Sequence, residues 1–334
     1  MKHLLAIALM CACWCASWGQ DVHFTQFAES PLNLNPANAG HFEGDWRISN
    51  NYRRQWAMLG DPFVTAAIGF DVPLDVFGHK VGVGGWILND VSGALGLNVF
   101  QANLQAAYHK KLGMNRLRGG LQVSYVAKSF STNNLSFPDQ FEWDAGVFNP
   151  ALATSATGFG QQSSFVDLSA GIGWSRRFRT WTPDIGLSFQ HLNQPNDAFF
   201  STANNLPMRT TVNAAATFDL NETWYLWPRV LYLSQVSATQ TALSSFVGYR
   251  LPQNKANVKS VYLGPAWRTG INRNSDAVAG VAGIRFKNLQ LGFSYDYTIS
   301  SLGPAIASRG ALEFSLIYIP NPVVTKISIP CDRY

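Results

Sequence analysis

The chain has 334 residues and a formal net charge of +5, yet only 13% of it is charged and 13% is aromatic. That charged share is about half of what an ordinary soluble domain carries, too little to cover a soluble surface of this size. Mean hydropathy near zero also excludes a bundle of membrane helices. A transmembrane β-barrel fits both facts, because polar lumen residues and apolar exterior residues cancel in the average.

Residues 1–20, MKHLLAIALMCACWCASWGQ, read as an export signal. Lys2 is the charged start, Leu4 to about Trp14 is the apolar stretch, and Ser17 and Gly19 are the small residues before cleavage. A signal peptide is predicted at 1–19. A lipoprotein reading through Cys11, Cys13 or Cys15 is weaker, since large residues stand where that cleavage needs small ones. With the signal removed only Cys331 remains, so no disulfide framework and no Cys metal site are expected. No later stretch approaches the ~18 apolar residues of a membrane helix. A membrane location would therefore demand a closed barrel, which satisfies its backbone groups between strands.

A short N-terminal periplasmic segment is predicted at 20–43, followed by the barrel at 44–319. About fourteen strands are expected: 44–54, 63–73, 79–89, 97–111, 116–129, 163–178, 181–191, 208–219, 222–235, 239–251, 258–269, 275–287, 288–299 and 308–319. Many alternate with the period of two that places successive side chains on opposite faces. In 289–299, Leu289, Leu291, Phe293, Tyr295, Tyr297 and Ile299 oppose Gln290, Gly292, Ser294, Asp296 and Thr298. Strands 79–89 and 239–251 alternate poorly. With the N-terminus on the periplasmic side, odd-to-even connections should be outside and long, and even-to-odd ones short. DVFGH, LGMNR and Lys287-Asn288 are short, whereas 130–162, 192–207 and 300–307 are long. A soluble sandwich would not produce this parity. The greasy faces are thus expected to meet lipid, with Phe293, Leu312, Phe314 and Leu316 outward and Asp296 and Glu313 inward.

Few residues point to chemistry. The six His lack metal-ligand spacing, and no nucleotide or phosphate fingerprint appears. Gly82-Val83-Gly84-Gly85 reads as small residues in a curved strand. His191 is the one His near the outer end of a strand, and a barrel hydrolase would have to gather Ser, His and Asp from separate strands. No enzyme activity, cofactor or metal is expected. Charges on the polar face, among them Asp71, Asp184, Arg229, Asp296 and Glu313, read as lumen solvation and pairing across the barrel. Loop 130–162 carries Phe137, Phe141 and Trp143, and loop 192–207 carries Phe199 and Phe200. Exposed aromatics in long loops mark a partner surface or a lid folded into the mouth.

Several short motifs share one resemblance. Residues 23–40 contain Asn35-Pro36-Ala37-Asn38-Ala39-Gly40, similar to the NPAxAG of the PorP/SprF family. Arg53-Arg54-Gln55-Trp56 resembles its RxQW, Asp71-Val72-Pro73-Leu74 its DxPL, and His191-Leu192-Asn193-Gln194-Pro195 its HLNQP. Tyr295-Asp296-Tyr297 with Gly310-Ala311-Leu312-Glu313 resembles its closing hairpin. The resemblance implies a bacterial outer-membrane barrel of type IX secretion, exporting or anchoring adhesin-like cargo and often linked to gliding motility. It also implies, as partners, a secreted cargo protein or its C-terminal domain and subunits of the secretion machinery, with outer-membrane lipid around the barrel and no nucleic acid. Asn35, Pro36, Ala37, Gly40, Arg53, Gln55 and Trp56 are the motif residues carried over. The alternative is a porin or small-solute transporter, which an open lumen would favour. The tail at 320–334, with three prolines counting Pro320, is expected to be periplasmic.

Overall fold

The structure, a computed structural model, describes residues 22–57, 61–93, 96–130, 137–149, 151–153, 162–199, 204–251, 257–270, 275–301 and 303–320. The predicted signal peptide, Phe200, Cys331 and all of the predicted tail except Pro320 lie outside them. No helix among the described residues is long and apolar enough to cross a membrane. The chain crosses with strands instead.

The first five staves are β1 (Arg47–Gln55), β2 (Phe63–Val76), β3 (His79–Ser92), β4 (Leu97–Leu112) and β5 (Asn115–Phe130). A small hairpin, β6 (Phe141–Glu142) and β7 (Val147–Phe148), stands in the loop that follows. The wall resumes with β8 (Gln162–Arg176), β9 (Trp181–Gln190), β10 (Arg209–Asp219), β11 (Trp224–Gln235) and β12 (Ala238–Arg250). It finishes with β13 (Val258–Thr269), β14 (Ser275–Phe286), β15 (Leu289–Thr298) and β16 (Arg309–Tyr318). Each stave pairs antiparallel with its neighbour, and β1 pairs with β16, closing a barrel of fourteen strands. The seam register sets Arg53 directly opposite Glu313.

The two faces are those expected for lipid outside and a polar interior. Phe293, Leu312 and Phe314 are exposed, while Asp296, Ser294 and Glu313 are buried. A soluble protein would invert this arrangement. Closure leaves no edge strand, so the backbone is satisfied without water. The short turns share one end of the barrel with the start of β1 and the end of β16, as an even strand count requires. Phe77-Gly78 and Gly113-Met114 are two-residue turns there, and Phe77 and Gly78 both have positive φ, as hairpin turns of the favoured hand need. The other end carries the longest connections, those after β5, β9 and β15, although others there are short. Only Val236 and Ser237 separate β11 from β12, so the outer rim is low at that point.

β3 and β12 do alternate in burial, although their sequences do not alternate in polarity. Their inward residues include Trp86, Leu88, Ala242 and Phe246, all buried. An apolar inward face requires something apolar inside the barrel, and the N-terminal segment supplies it.

Candidate functional site: the plugged lumen

Residues 24–39 lie inside the barrel. Three short turns fold the segment: Phe27–Glu29, Pro31–Leu34 and Pro36–Asn38. Pro31 and Pro36 each open a turn, where a missing N–H costs nothing and the fixed φ suits the bend. Asn35 caps the last turn by accepting a hydrogen bond from Ala37 N at 2.8 Å. Phe24 and Leu32 pack with Ala67, Trp86, Leu88 and Ala107, and Phe27 packs with Leu231 and Ala242. This is a small hydrophobic core within a polar lumen.

Three polar anchors fix it. At the seam, Thr25 N and Gln26 N donate to the two carboxylate oxygens of Glu313, each at 2.8 Å. Arg53 reaches Glu313 at 3.0 Å and Asp296 at 2.8 Å, and also donates to Thr25 Oγ1. Arg268 adds a 3.1 Å contact to Asp296. Across the lumen, Arg229 grips Glu29 through two bonds of 2.8 Å, and both residues are only 2% exposed. The Arg229 guanidinium sits 3.5 Å from the Trp227 ring centroid. At the short-turn end of the lumen Arg47 makes two bonds to Asp71, which also accepts from Gly40 N at 2.7 Å.

The NPAxAG turn rests on a floor of glycines. A Cβ at Gly82 would stand 1.8 Å from Ala39 O, one at Gly120 2.5 Å from Pro36 C, and one at Gly171 2.1 Å from Asn35 Oδ1. Only a bare backbone lets the segment approach so closely. Asn35 Nδ2 in turn donates to the carbonyls of Ile172 and Leu187. His41 Nε2 lies 2.9 Å from Asp184, which Arg118 also holds. Burial, with Arg118 and Arg116 nearby, outweighs Asp184 and pushes the His41 pKa down to about 4.

The motifs named in the sequence thus converge. Asn35, Pro36, Ala37 and Gly40 form the seated turn, and Arg53, Asp296 and Glu313 form the seam anchor. Gln55 accepts from Arg53 Nε at 3.4 Å, and Trp56 N donates to Gly310 O across the seam at 2.9 Å. The HLNQP stretch fastens a loop: Asn193 bonds Leu168 N and Val166 O, and His191 meets Asp167 at 3.1 Å. Glu29 and Gln26 escaped the sequence reading. Their signal was a lone carboxylate and an amide in a segment destined for a lumen rich in arginine.

A cavity of about 310 Å³ remains between the plug and the outer loops, lined by Trp86, Gln122, Lys128, Asp167, Asp197 and Arg209 among others. Loop residues 191–199 and 204–208 border it, tied down by Lys128–Asp197 at 2.6 Å and by Phe199 against Phe130. The β6–β7 hairpin differs. Phe141 touches Trp143 and Phe148 edge-on, and Trp143 is 86% exposed. Phe137, at the start of this hairpin region, is half-buried. The structure therefore separates Phe199, packed against the end of β5, from Trp143, which faces solvent.

A closed fourteen-stranded wall with an apolar exterior and an occupied polar lumen defines an outer-membrane β-barrel. The chain belongs to the family Type IX secretion system membrane protein PorP/SprF, which it matches over residues 16–318. Among solved structures it is similar to the CymD monoaromatic hydrocarbon channel, at 12% identity and TM-score 0.50, covering 91% of this chain and 95% of that one. The Ralstonia pickettii toluene transporter TbuX is comparable at 11% identity and TM-score 0.50, covering 90% and 95%. At such identities the likeness is one of fold. No curated protein matches the chain.

Proposed function

We propose that this barrel serves type IX secretion by exporting or anchoring an adhesin-like cargo at the cell surface, in support of surface attachment or gliding, with no chemical step of its own. The observation that carries this reading is the filled lumen. Residues 24–39 are locked to the wall by the buried Arg229–Glu29 ion pair and by the hydrogen bonds of Thr25 N and Gln26 N to Glu313, which a diffusion pore has no use for. The exposed aromatic group of Phe141, Trp143 and Phe148 is then the surface offered to the cargo or its C-terminal domain, with Phe137 beside it. Phe199 and Phe200, proposed from the same aromatic pattern, belong to the neighbouring loop. Buried aromatic anchors of this kind dominate interface energy, at ~2 kcal/mol or more each.

The test is a combined Phe141→Ala, Trp143→Ala strain. The barrel should remain folded, shown by its heat-modifiable gel shift, while cargo appears in the culture medium. Cargo that stays attached while solute uptake rises would overturn the reading in favour of a solute channel gated by these loops.

A further inference from the structure

We propose that the lipid-facing wall of β3–β5, β8 and β9 holds an anionic phospholipid of the inner leaflet. Its acyl chain would lie in a groove in the wall and its phosphate on a group of cations just below. The groove has a volume of about 630 Å³ and is lined by Ala106, Tyr108, Gly119, Leu121, Ala170 and Ile172 among others, almost wholly apolar. It exists because the wall is thin here. The inward glycines that seat the plug, Gly120 and Gly171, have small outward neighbours, Gly119 and Ala170. A Cβ built on Gly119 meets nothing within 4 Å, so the hollow is open toward the bilayer.

The choice of occupant comes from what lies below. Following β4 from Tyr108 and β8 from Trp174 toward the periplasm, the next residues on the same face are Lys110 and Arg176. Both staves flank β5, where Leu117 pairs with both Lys110 and Trp174. Arg176 lies two residues further along its stave than the level of Lys110, so the two are about 12 Å apart, within reach of one phosphate through their long side chains. Lys110 stands on that face with Arg176, and neither it nor Arg177 or Arg179 has an acidic partner among the described residues. The level is that of the headgroups. Phe178, Trp181 and Phe218 stack in a row at this end of the wall, as interfacial aromatics do. An apolar slot above and a cationic ledge at the interface match the two halves of a phospholipid.

Two experiments test this. With wild-type protein in nanodiscs, a photoactivatable phosphatidylglycerol should label residues 97–130 and 162–190 above all other staves. Labelling spread evenly round the barrel would overturn the proposal. In native mass spectrometry from detergent, the full chain should retain phosphatidylglycerol in preference to phosphatidylcholine. Lys110→Gln with Arg176→Gln should weaken phosphatidylglycerol by roughly fivefold per cation and leave phosphatidylcholine unchanged. Gly119→Leu, whose Cβ meets nothing within 4 Å, puts a side chain into the groove and should weaken both lipids. Displacement of the lipid by inorganic phosphate would reduce the site to an anion contact and overturn the groove. Capture of an acidic protein that the charge substitutions release, with lipid retention unchanged, would also overturn it.

Discussion

Arg229 sits in the lumen with Glu29 as its carboxylate and Trp227 against its face. Glu29→Gln would leave this guanidinium buried without a counter-charge. Breaking a buried pair from one side costs about 3–5 kcal/mol. The plug should loosen by that amount, and limited proteolysis of residues 22–40 in otherwise folded barrels should become faster. Unchanged protection would show that the pair contributes nothing. His41 makes a different prediction. Its pKa is about 4 when seated, against about 6.5 for a free histidine. Above pH 6.5 both states are neutral and nothing changes. Between pH 6.5 and 4 only the unseated histidine takes up a proton, so seating weakens as pH falls. Asp184, Arg118, Arg116 and His109 face the ring and stay in place in a His41→Asn variant. That variant should lose the part of the pH dependence that lies in this window, measured as plug protease sensitivity at pH 7.5 and 5.

At the scale of elements, the staves were largely legible in sequence because lipid and lumen impose opposite polarity on alternate residues. β15 and β16 show this plainly, from Phe293 outward to Asp296 and Glu313 inward. β3 and β12 resisted because their inward neighbour is Phe24, Leu32 or Phe27 rather than water, and no single stave carries that information. The glycine floor was invisible for the same reason. Gly82, Gly120 and Gly171 come from three separate strands and gain meaning only when Asn35–Ala39 lies over them. A Gly82→Val change puts a branched side chain into the carbonyl of Ala39, so the NPAxAG turn should be displaced. The barrel should still close, since Gly82 makes no demand on the wall itself. Single-channel conductance in planar bilayers should rise above that of the parent, and an unchanged conductance in a folded variant would count against a seated plug.

For the whole molecule, the same argument predicts that removing residues 20–40 opens the lumen more fully than any point change. Conductance should increase by a large step, and the deleted barrel should be less heat-resistant than the parent, having lost an internal core, the Arg229–Glu29 ion pair and the hydrogen bonds of Thr25, Gln26 and Gly40 to the wall. A deleted barrel as resistant and as tightly sealed as the parent would mean that the outer loops, not the N-terminal segment, close the pore. The partner surface proposed for Phe141 and Trp143 was legible only as an excess of aromatics. The small hairpin that exposes them arises from local pairing of Phe141 with Phe148, a contact too short for periodicity to register.

The seam has a consequence for how the barrel is made. β1 and β16 are the first and last staves, and the residues that face each other there, Arg53 and Glu313, are shared with Thr25 and Gln26. Zipping the final stave onto the first without the N-terminal segment in place would bury Glu313 with two of its donors missing. The ring therefore shuts most readily with the chain's own beginning already inside it, so the segment acts as a mandrel around which the wall is wound. Closure ought to be the slow step of assembly into vesicles. A Glu313→Gln barrel should reach the heat-resistant form later than the parent while its other hairpins form on time.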